Sequence, residues 1–559
     1  MTGADAVIQS LLSAGIDTMF GYPGGAIMPV YDSLYRLGAN LNHILTRHEQ
    51  GAIHAAQGYQ RASNKLAIVL ATSGPGATNL VTGLADAQID STALVCITGQ
   101  VASPLLGTDA FQETDIISIS NPVTKWNYQI TEAQDIPEIL AKAIYIAQSG
   151  RPGPVLIDIT KDAQMEFMEF HYKPMRALKN YHPYPKIEIK DIEKAAYIIN
   201  AAKKPMAIIG QGVILGAAEQ ELLEFLAKSN IPTASTLLGL SAISSKHPLF
   251  VGMVGMHGNY APNIQTNNCD VLISIGMRFD DRVTGELDKY AKQAKVIHFD
   301  IDESEINKNV PTEVGIVGDV KQTLPFLTNI IEYRKHETWI NSFEALYKTE
   351  FETIIQKQIN PDGEQIRMAE VMDQLNQMYH GKAILVSDVG QHQMIVSRYA
   401  EFIQTRSHIS SGGLGTMGFA LPAAVGAKIG DPEREVIAVI GDGGFQMTCQ
   451  ELGTIMQSSV PVKVIILNNE YLGMVRQWQE LFFDGRYAST EMKNPDFQKL
   501  ASAYNIPSET VLKREELKKG LQRMKKAKGS YLLEVKVEQM DNVFPMVQTG
   551  ASVSEVRLS

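Results

Sequence analysis

Cysteine is scarce in this sequence: Cys96, Cys269 and Cys449 are the only three, odd in number, far apart and without a C-x-x-C pair. That excludes a disulfide framework and a four-cysteine zinc site, and the apolar neighbours of each lead us to expect buried free thiols. Long hydrophobic runs are missing too: no stretch reaches the roughly 18 apolar residues of a membrane span. Basic runs of five or more are absent, and 50 Lys plus Arg stand against 61 Asp plus Glu, a formal net charge of −11. Such a balance excludes nucleic acid as the main partner. The 12 histidines show no H-E-x-x-H or other paired spacing, so a catalytic transition metal is not expected. The first residues, MTGADAVIQSLLSAGIDTMFGYPGG, lack a basic segment followed by an apolar block and a small-residue cleavage site. They read as an amphipathic helix running into a strand. The cytoplasm is the expected compartment, an organelle being the alternative if a transit peptide has been removed.

What is present is an ordinary globular composition: 559 residues, 45% apolar and 20% charged. At roughly 150 residues per domain this makes three or four domains. Three stretches share one rhythm of apolar run, glycine-rich turn, helical pattern and second apolar run. They are Leu66 to Ala71 with Ser73-Gly-Pro-Gly76 and then Ala93 to Thr98; Met206 to Ile209 with Gly210-Gln-Gly212 and then Val271 to Ile275; and Val436 to Ile440 with Gly441-Asp-Gly-Gly444 and then Val462 to Leu467. Continuous apolar strands alternating with helices indicate parallel sheets covered on both faces. The fold class is therefore α/β, with three doubly wound parallel-sheet domains. A proline-containing stretch at 166–190 reads as a surface linker, and a helical region after 333 breaks at Asn360-Pro-Asp-Gly363. The last residues, from Met540, lose periodicity and read either as a disordered end or as an arm closing over a site.

The sharpest chemical signal is Gly441-Asp442-Gly443 followed, 24 residues later, by Asn468-Asn469. Each element ends an apolar strand, so both fall at the carboxyl edge of one sheet, where open α/β folds bind ligands. A carboxylate and an amide oxygen suit Mg²⁺, which prefers octahedral oxygen ligation and bridges phosphates. The glycines let backbone N–H groups approach a diphosphate. Arg47-His48-Glu49-Gln50-Gly51 follows another apolar stretch, and from the residues alone Glu49 is simply an acidic helix start. Gly413 to Gly418 spells G-x-G-x-x-G, but the preceding SHISS is not an apolar strand, so a dinucleotide fingerprint is not expected there. In the middle block, Gly210 and Gly212 after one strand and Asp300 at the end of another form a loose nucleotide-binding pattern. The charged run Arg278-Phe-Asp280-Asp-Arg282 reads either as solvated surface or, since it follows an apolar strand, as ligand-facing.

The Gly-Asp-Gly and Asn-Asn combination resembles that of the thiamine-diphosphate enzymes. The resemblance implies Asp442 and Asn469 as metal ligands by side chain and Tyr471 by its backbone carbonyl, with Gly443, Gly444, Gly390, Gln391 and His392 near the diphosphate. It also turns Glu49 into the catalytic residue that hydrogen-bonds the cofactor's aminopyrimidine, a general acid–base step relayed through the cofactor. Gly415 and Met417 match the segment that keeps the cofactor bent, Met417 being the apolar wedge between its rings.

The match narrows further. GYPGGAIMPVYD, SGPGATN, GTDAFQETD, GRPGPVLIDITKD, GMHG, RFDDRVTG, SGGLGTMG, LNNEYLGMVRQWQ and VFPMVQTGAS occur in the order seen in the acetohydroxyacid synthase catalytic subunits, over essentially the whole chain. The RFDDR element is similar to that of the family's FAD-containing biosynthetic branch. FAD, without a net redox role, is then implied on Arg151, Gly210, Gly212, Thr236, Leu237, Gly255, Met256, His257, Gly258, Gly276, Arg278, Asp280, Arg282, Asp300, Ile301 and Asp319. The domains implied are pyrimidine-binding (1–165), FAD-binding (191–345) and diphosphate-binding (360–540), with a C-terminal arm at 541–559. Tyr471-Leu472 before Gly473 departs from the usual Asn-Asn-Glu-x-x-Gly pattern, which a backbone ligand tolerates.

The implied reaction joins pyruvate, after loss of CO₂, to a second pyruvate or to 2-ketobutyrate, the first common step of branched-chain amino acid biosynthesis. Arg282 would grip the acceptor carboxylate bidentately. Met474 and Trp478 would line the acceptor side, although Trp478 four residues after Met474 also fits plain core packing. Gly25, Gln112 and Lys161 match positions near the site or its entrance, and Phe111 is left open. A homodimer or homotetramer with shared sites and a small regulatory subunit are implied as partners. The alternatives are a pyruvate oxidase, a 2-ketoacid decarboxylase, or a non-catalytic subunit that kept the fold, the last opposed by intact Glu49, Asp442 and Asn469.

Overall fold

The computed structural model describes residues 1–38 and 40–559. The apolar runs form three six-stranded sheets in which every neighbouring pair is parallel. The first contains β1 (Thr18–Gly21), β2 (Asn42–Leu45), β3 (Ala67–Ala71), β4 (Leu94–Gln100), β5 (Trp126–Ile130) and β6 (Pro154–Thr160), in the order β2-β1-β3-β4-β6-β5. The second contains β7 (Pro205–Ile209), β8 (Thr233–Ser235), β9 (Phe250–Met253), β10 (Val271–Ile275), β11 (Lys295–Asp300) and β12 (Val314–Val317), in the order β12-β11-β10-β7-β8-β9. This is the strand order of dinucleotide-binding sheets, with its reversal between β7 and β10. The third contains β13 (Ile384–Ser387), β14 (His408–Ser410), β15 (Val436–Gly441), β16 (Lys463–Asn468), β17 (Ser508–Val511) and β18 (Tyr531–Lys536), in the order β14-β13-β15-β16-β18-β17. It repeats the first sheet's topology.

Alternate residues of each central strand feed different cores, which is why these runs are apolar without a break. In β3, Ile68 and Leu70 join one cluster while Ala67, Val69 and Ala71 join the opposite one. In β15, Ile437 and Val439 face one way and Val436, Ala438 and Ile440 the other. In β10, Ile273 and Leu272 divide likewise. Each fully buried Val, Leu or Ile contributes about 1.5–3 kcal/mol, so the sheets anchor the loops at their carboxyl edges. Among the described residues no helix is long and apolar enough to cross a membrane.

Two expectations are corrected here. The SHISS segment does contain a strand, β14: its polar side chains are accommodated because Gln393 donates to Ser410 Oγ, and Ser410 Oγ donates in turn to the Ser387 carbonyl. Cys96 and Cys269 are buried, but Cys449, at the start of the short helical turn Cys449–Glu451, is only half-buried and packs at the margin of a core cluster. The C-terminal residues are ordered. A small antiparallel pair, β19 (Met546–Val547) with β20 (Val556–Arg557), lies against the second unit, where the Val547 N–H donates to the Met256 carbonyl at 2.8 Å.

Candidate active site

Two groups of site residues stand at carboxyl edges of the sheets. In the third unit, the reversal between β13 and β15 places Asp388, Gly390 and His392 beside Gly441 and Asp442. Asp388 is fully buried and accepts the N–H groups of Val389, Gly418 and Ala420, so it fixes the loop carrying Gly415 and Met417. Burial pushes its carboxyl up to about 6 despite those three bonds. The His392 ring lies against Gly441, where an added Cβ would come within 2.8 Å of its Cε1. Burial pulls His392 down to about 3, so the ring is neutral, and its Nε2 is buried without a hydrogen-bond partner.

Asp442 is 1% exposed, and burial pushes its carboxyl up to about 6, opposed by the Asn494 amide that donates to Oδ2 at 2.7 Å. Asn494 also donates to Asn468 Oδ1 at 3.1 Å, tying the two strand ends together. The Asn469 side-chain Oδ1 accepts the Tyr471 N–H at 3.2 Å, and Glu470 between them takes a left-handed φ of 58°. Gly443 and Gly444 follow Asp442 in its helix. An unpartnered imidazole nitrogen, a desolvated carboxylate and adjacent glycines fit a diphosphate with a divalent ion. Among the described residues no cluster of three His, Cys, Asp or Glu side chains is placed to hold a metal. The oxygens available to a cation here are instead those of the Asp442 carboxylate and the Asn469 side-chain amide, a donor type that suits Mg²⁺. Gly473 is required by the same packing: a Cβ there would lie 2.2 Å from Gln391 Oε1 and 2.7 Å from Asn469 Nδ2. We expect Gly473→Ala to weaken Mg²⁺-dependent cofactor binding at least tenfold, read by calorimetric titration, while destabilising the fold by about 1–3 kcal/mol.

A cavity of about 790 Å³ opens where the three units meet. On the third-unit side it is lined by Gly390, Gly415, Met417, Met474 and Trp478. The first unit contributes Arg151, with Ser91 and Gly150, and on the second-unit side lie Gly212, Thr236, Leu237, Gly255, Met256, His257, Gly276, Arg278, Asp280, Arg282, Asp300, Ile301 and Asp319. Gly210 and Gly258 are set back from it; the Gly212 N–H donates to the Gly276 carbonyl at 2.8 Å, so these glycines bring two strand ends into contact. Gln391, His392, Asp442, Gly443, Gly444, Asn469 and Tyr471 do not line it. The charged run lines the cavity: Asp280 caps its own turn through the N–H groups of Arg282 and Val283, and the Arg282 guanidinium lies 5.9 Å from the Trp478 ring centre. Trp478 faces the cavity and does not serve as core packing alone; its indole N–H is buried and unpartnered. Arg151 is pinned by Asp302 and Glu305 at 3.2 and 2.9 Å.

Asp300, at the end of β11, is pushed up to about 7 by burial. Its folded form thus keeps a proton that the unfolded chain releases near pH 4, and stability falls as pH rises between those values. Asp300→Asn is therefore expected to stabilise the flavin-free protein at pH 8 by on the order of 2 kcal/mol, the gain vanishing by pH 4 in thermal denaturation.

The remaining predicted residues form a separate group on the first unit. Glu49 begins the helix Glu49–Ser63, is 9% exposed, and its Oε2 accepts the Asn79 amide at 3.0 Å. Its other oxygen faces Gly76. Gln112 adopts a left-handed φ of 59° and packs on Gly74, while the space at Gly25 is open. None of Gly25, Glu49 or Gln112 lines the cavity. Lys161 is exposed, and Phe111 is 88% exposed. Asn79, Asp388 and Asn494 are not singled out by the sequence reading, although the SGPGATN motif ends on Asn79.

The three units match three family descriptions: thiamine pyrophosphate enzyme N-terminal TPP binding domain at 1–119, central domain at 192–327 and C-terminal TPP binding domain at 388–535. Fold and site thus define a thiamine pyrophosphate enzyme. The chain is 43% identical to the acetolactate synthase isozyme 2 large subunit of Escherichia coli, with 100% of this chain and 99% of that protein covered. It is 44% identical to the acetolactate synthase large subunit of Corynebacterium glutamicum, with 100% and 90% covered, and 42% identical to a probable acetolactate synthase large subunit of Methanocaldococcus jannaschii, with 100% and 95% covered. The chain belongs to the acetolactate synthase large-subunit family.

Proposed function

We propose that this chain condenses pyruvate, with loss of CO₂, onto a second pyruvate to give 2-acetolactate, or onto 2-ketobutyrate to give 2-aceto-2-hydroxybutyrate. The observation that carries this is the pairing of Arg282 with Trp478 across a cavity that also holds Met417 and Met474. A second 2-ketoacid needs a cationic grip for its carboxylate and an apolar wall for its alkyl end, and this pair supplies both.

Thiamine diphosphate, when bound, supplies the carbon nucleophile and the electron sink for decarboxylation. Asp442, Asn469 and the Tyr471 carbonyl would hold Mg²⁺, and His392 Nε2 with the N–H groups near Gly443 would bind the diphosphate. Met417 would pack against the cofactor's rings, and Glu49 would hold a proton for its aminopyrimidine. Met474 and Trp478 exclude water from the reacting carbon, which favours carbon–carbon bond formation over protonation. FAD would occupy the second-unit side of the cavity, where Asp300 ends β11 and Arg278, Asp280 and Arg282 offer charged partners. The relatives are named large subunits, which supports a separate small regulatory subunit. Glu49 lies outside the cavity of its own chain, which supports a dimer in which one copy brings Glu49 to the diphosphate side of the other.

Product analysis tests the reading. Incubation with pyruvate, thiamine diphosphate, Mg²⁺ and FAD, with and without 2-ketobutyrate, is expected to give acetolactate, detected as acetoin after acid decarboxylation, and the mixed product when both ketoacids are present. Acetaldehyde, or acetate with oxygen uptake, as the main product would overturn it. Trp478→Leu is expected to lower the preference for 2-ketobutyrate over pyruvate roughly tenfold or more, measured by competition, because one methylene in an apolar pocket is worth about 1–3 kcal/mol.

A further inference from the structure

Arg398 and Glu350 form an ion pair at 2.5 Å whose side chains are 1% and 0% exposed. Arg398 belongs to the helix Gln391–Tyr399, which starts beside Gly390 and carries His392. Glu350 ends the helix Glu337–Glu350, on the connection between the second and third units. The Arg398 guanidinium donates to the carbonyls of His257 and Gly258 at 3.2 and 2.7 Å; its Nε has no partner. Glu350 accepts the Asn259 amide at 3.1 Å and the Tyr260 N–H at 2.7 Å. The pair therefore grips four consecutive residues, 257 to 260, directly after the cavity-lining Gly255 and Met256.

A buried ion pair seldom adds net stability, because desolvation cancels the attraction; its best attested use is to fix register. Here it fixes the flavin-side loop against the helix that begins at the diphosphate site. We propose that Arg398 and Glu350 are positioning residues that couple the binding of flavin to the binding of thiamine diphosphate. The proposal rests on the cofactor reading above. Ordering of the 255–258 loop by FAD seats Arg398, and a seated Arg398 holds His392 in place for the diphosphate. The linkage is reciprocal: each cofactor tightens the other by the same factor.

The test is a titration of the flavin-free full chain with FAD, followed by flavin fluorescence and the visible absorption band, with and without saturating thiamine diphosphate and Mg²⁺. For the wild type, the FAD Kd is expected to fall roughly tenfold when thiamine diphosphate and Mg²⁺ are present. Arg398→Lys keeps the charge facing Glu350 but loses the fork that reaches two carbonyls, and its coupling is expected to drop below about threefold. The double variant Arg398→Met with Glu350→Gln removes both charges and keeps the acceptor for the Tyr260 N–H, giving up the one for the Asn259 amide; its coupling is expected to fall to about onefold, with folding checked by its thermal midpoint. A general loss of structure would weaken FAD binding equally in both conditions, leaving the ratio unchanged. Coupling in Arg398→Lys equal to that of the wild type, or a wild type that binds both cofactors without coupling, overturns the clamp alone. A wild type that binds no flavin overturns the cofactor reading and the clamp together.

Discussion

Glu49→Gln is expected to lower turnover by about 10²–10⁴-fold while leaving the affinities for thiamine diphosphate and Mg²⁺ within a few fold. The glutamine is isosteric, and its amide oxygen can still accept the Asn79 Nδ2 that now bonds Glu49 at 3.0 Å. The helix start is unaffected, because the His48 ring, not Glu49, accepts the Gln50 N–H. What is lost is a carboxylate able to share a proton with the aminopyrimidine. Calorimetric titration of cofactor and steady-state product formation separate the two effects. Near-normal turnover would remove Glu49 from the catalytic role. Asn79→Ala is a graded companion: it leaves the carboxylate but frees its orientation, and should cost activity less than Glu49→Gln does.

The strands and glycine turns were legible because a sheet covered on both faces requires uninterrupted apolar runs. The family motifs then pointed to Glu49, Asp442, Asn469 and Trp478 as site residues. β14 escaped because an edge strand with one neighbour tolerates serine and histidine whose hydroxyls and ring find buried partners. Asn494 escaped for a different reason. It lies 52 residues beyond Asp442, in a loop without periodicity, and only the folded chain brings its amide to the carboxylate. Arg398 is similar: on a helical pattern it reads as an exposed basic residue, whereas its partners come from 48 and about 140 residues away. Positioning residues of this kind carry no local signal, since their chemistry is defined by what the tertiary fold sets opposite them.

Mixing two inactive variants should regenerate activity. Glu49→Gln lacks the acid–base group and Asp442→Ala the metal ligand, and each alone is expected to lose turnover by at least about 10²-fold. If each site takes Glu49 from one copy and Asp442 from the other, a mixed dimer contains one doubly altered site and one wholly intact site. Random reassortment makes about half the dimers mixed, so activity should return to roughly a quarter of the wild-type value. The geometry motivates this directly: Gln112 packs on Gly74 and Glu49 faces Gly76, the lining of the large cavity excludes Gly25, Glu49 and Gln112, and Phe111 is 88% exposed. An apolar ring so exposed, one residue before Gln112, has the character of a contact surface. The measurement is the activity of variants co-purified after dissociation and reassociation, against each variant treated alone. A mixture no more active than its parts would mean that Glu49 and Asp442 of one chain serve the same site, and closure within a single copy would then have to bring them together.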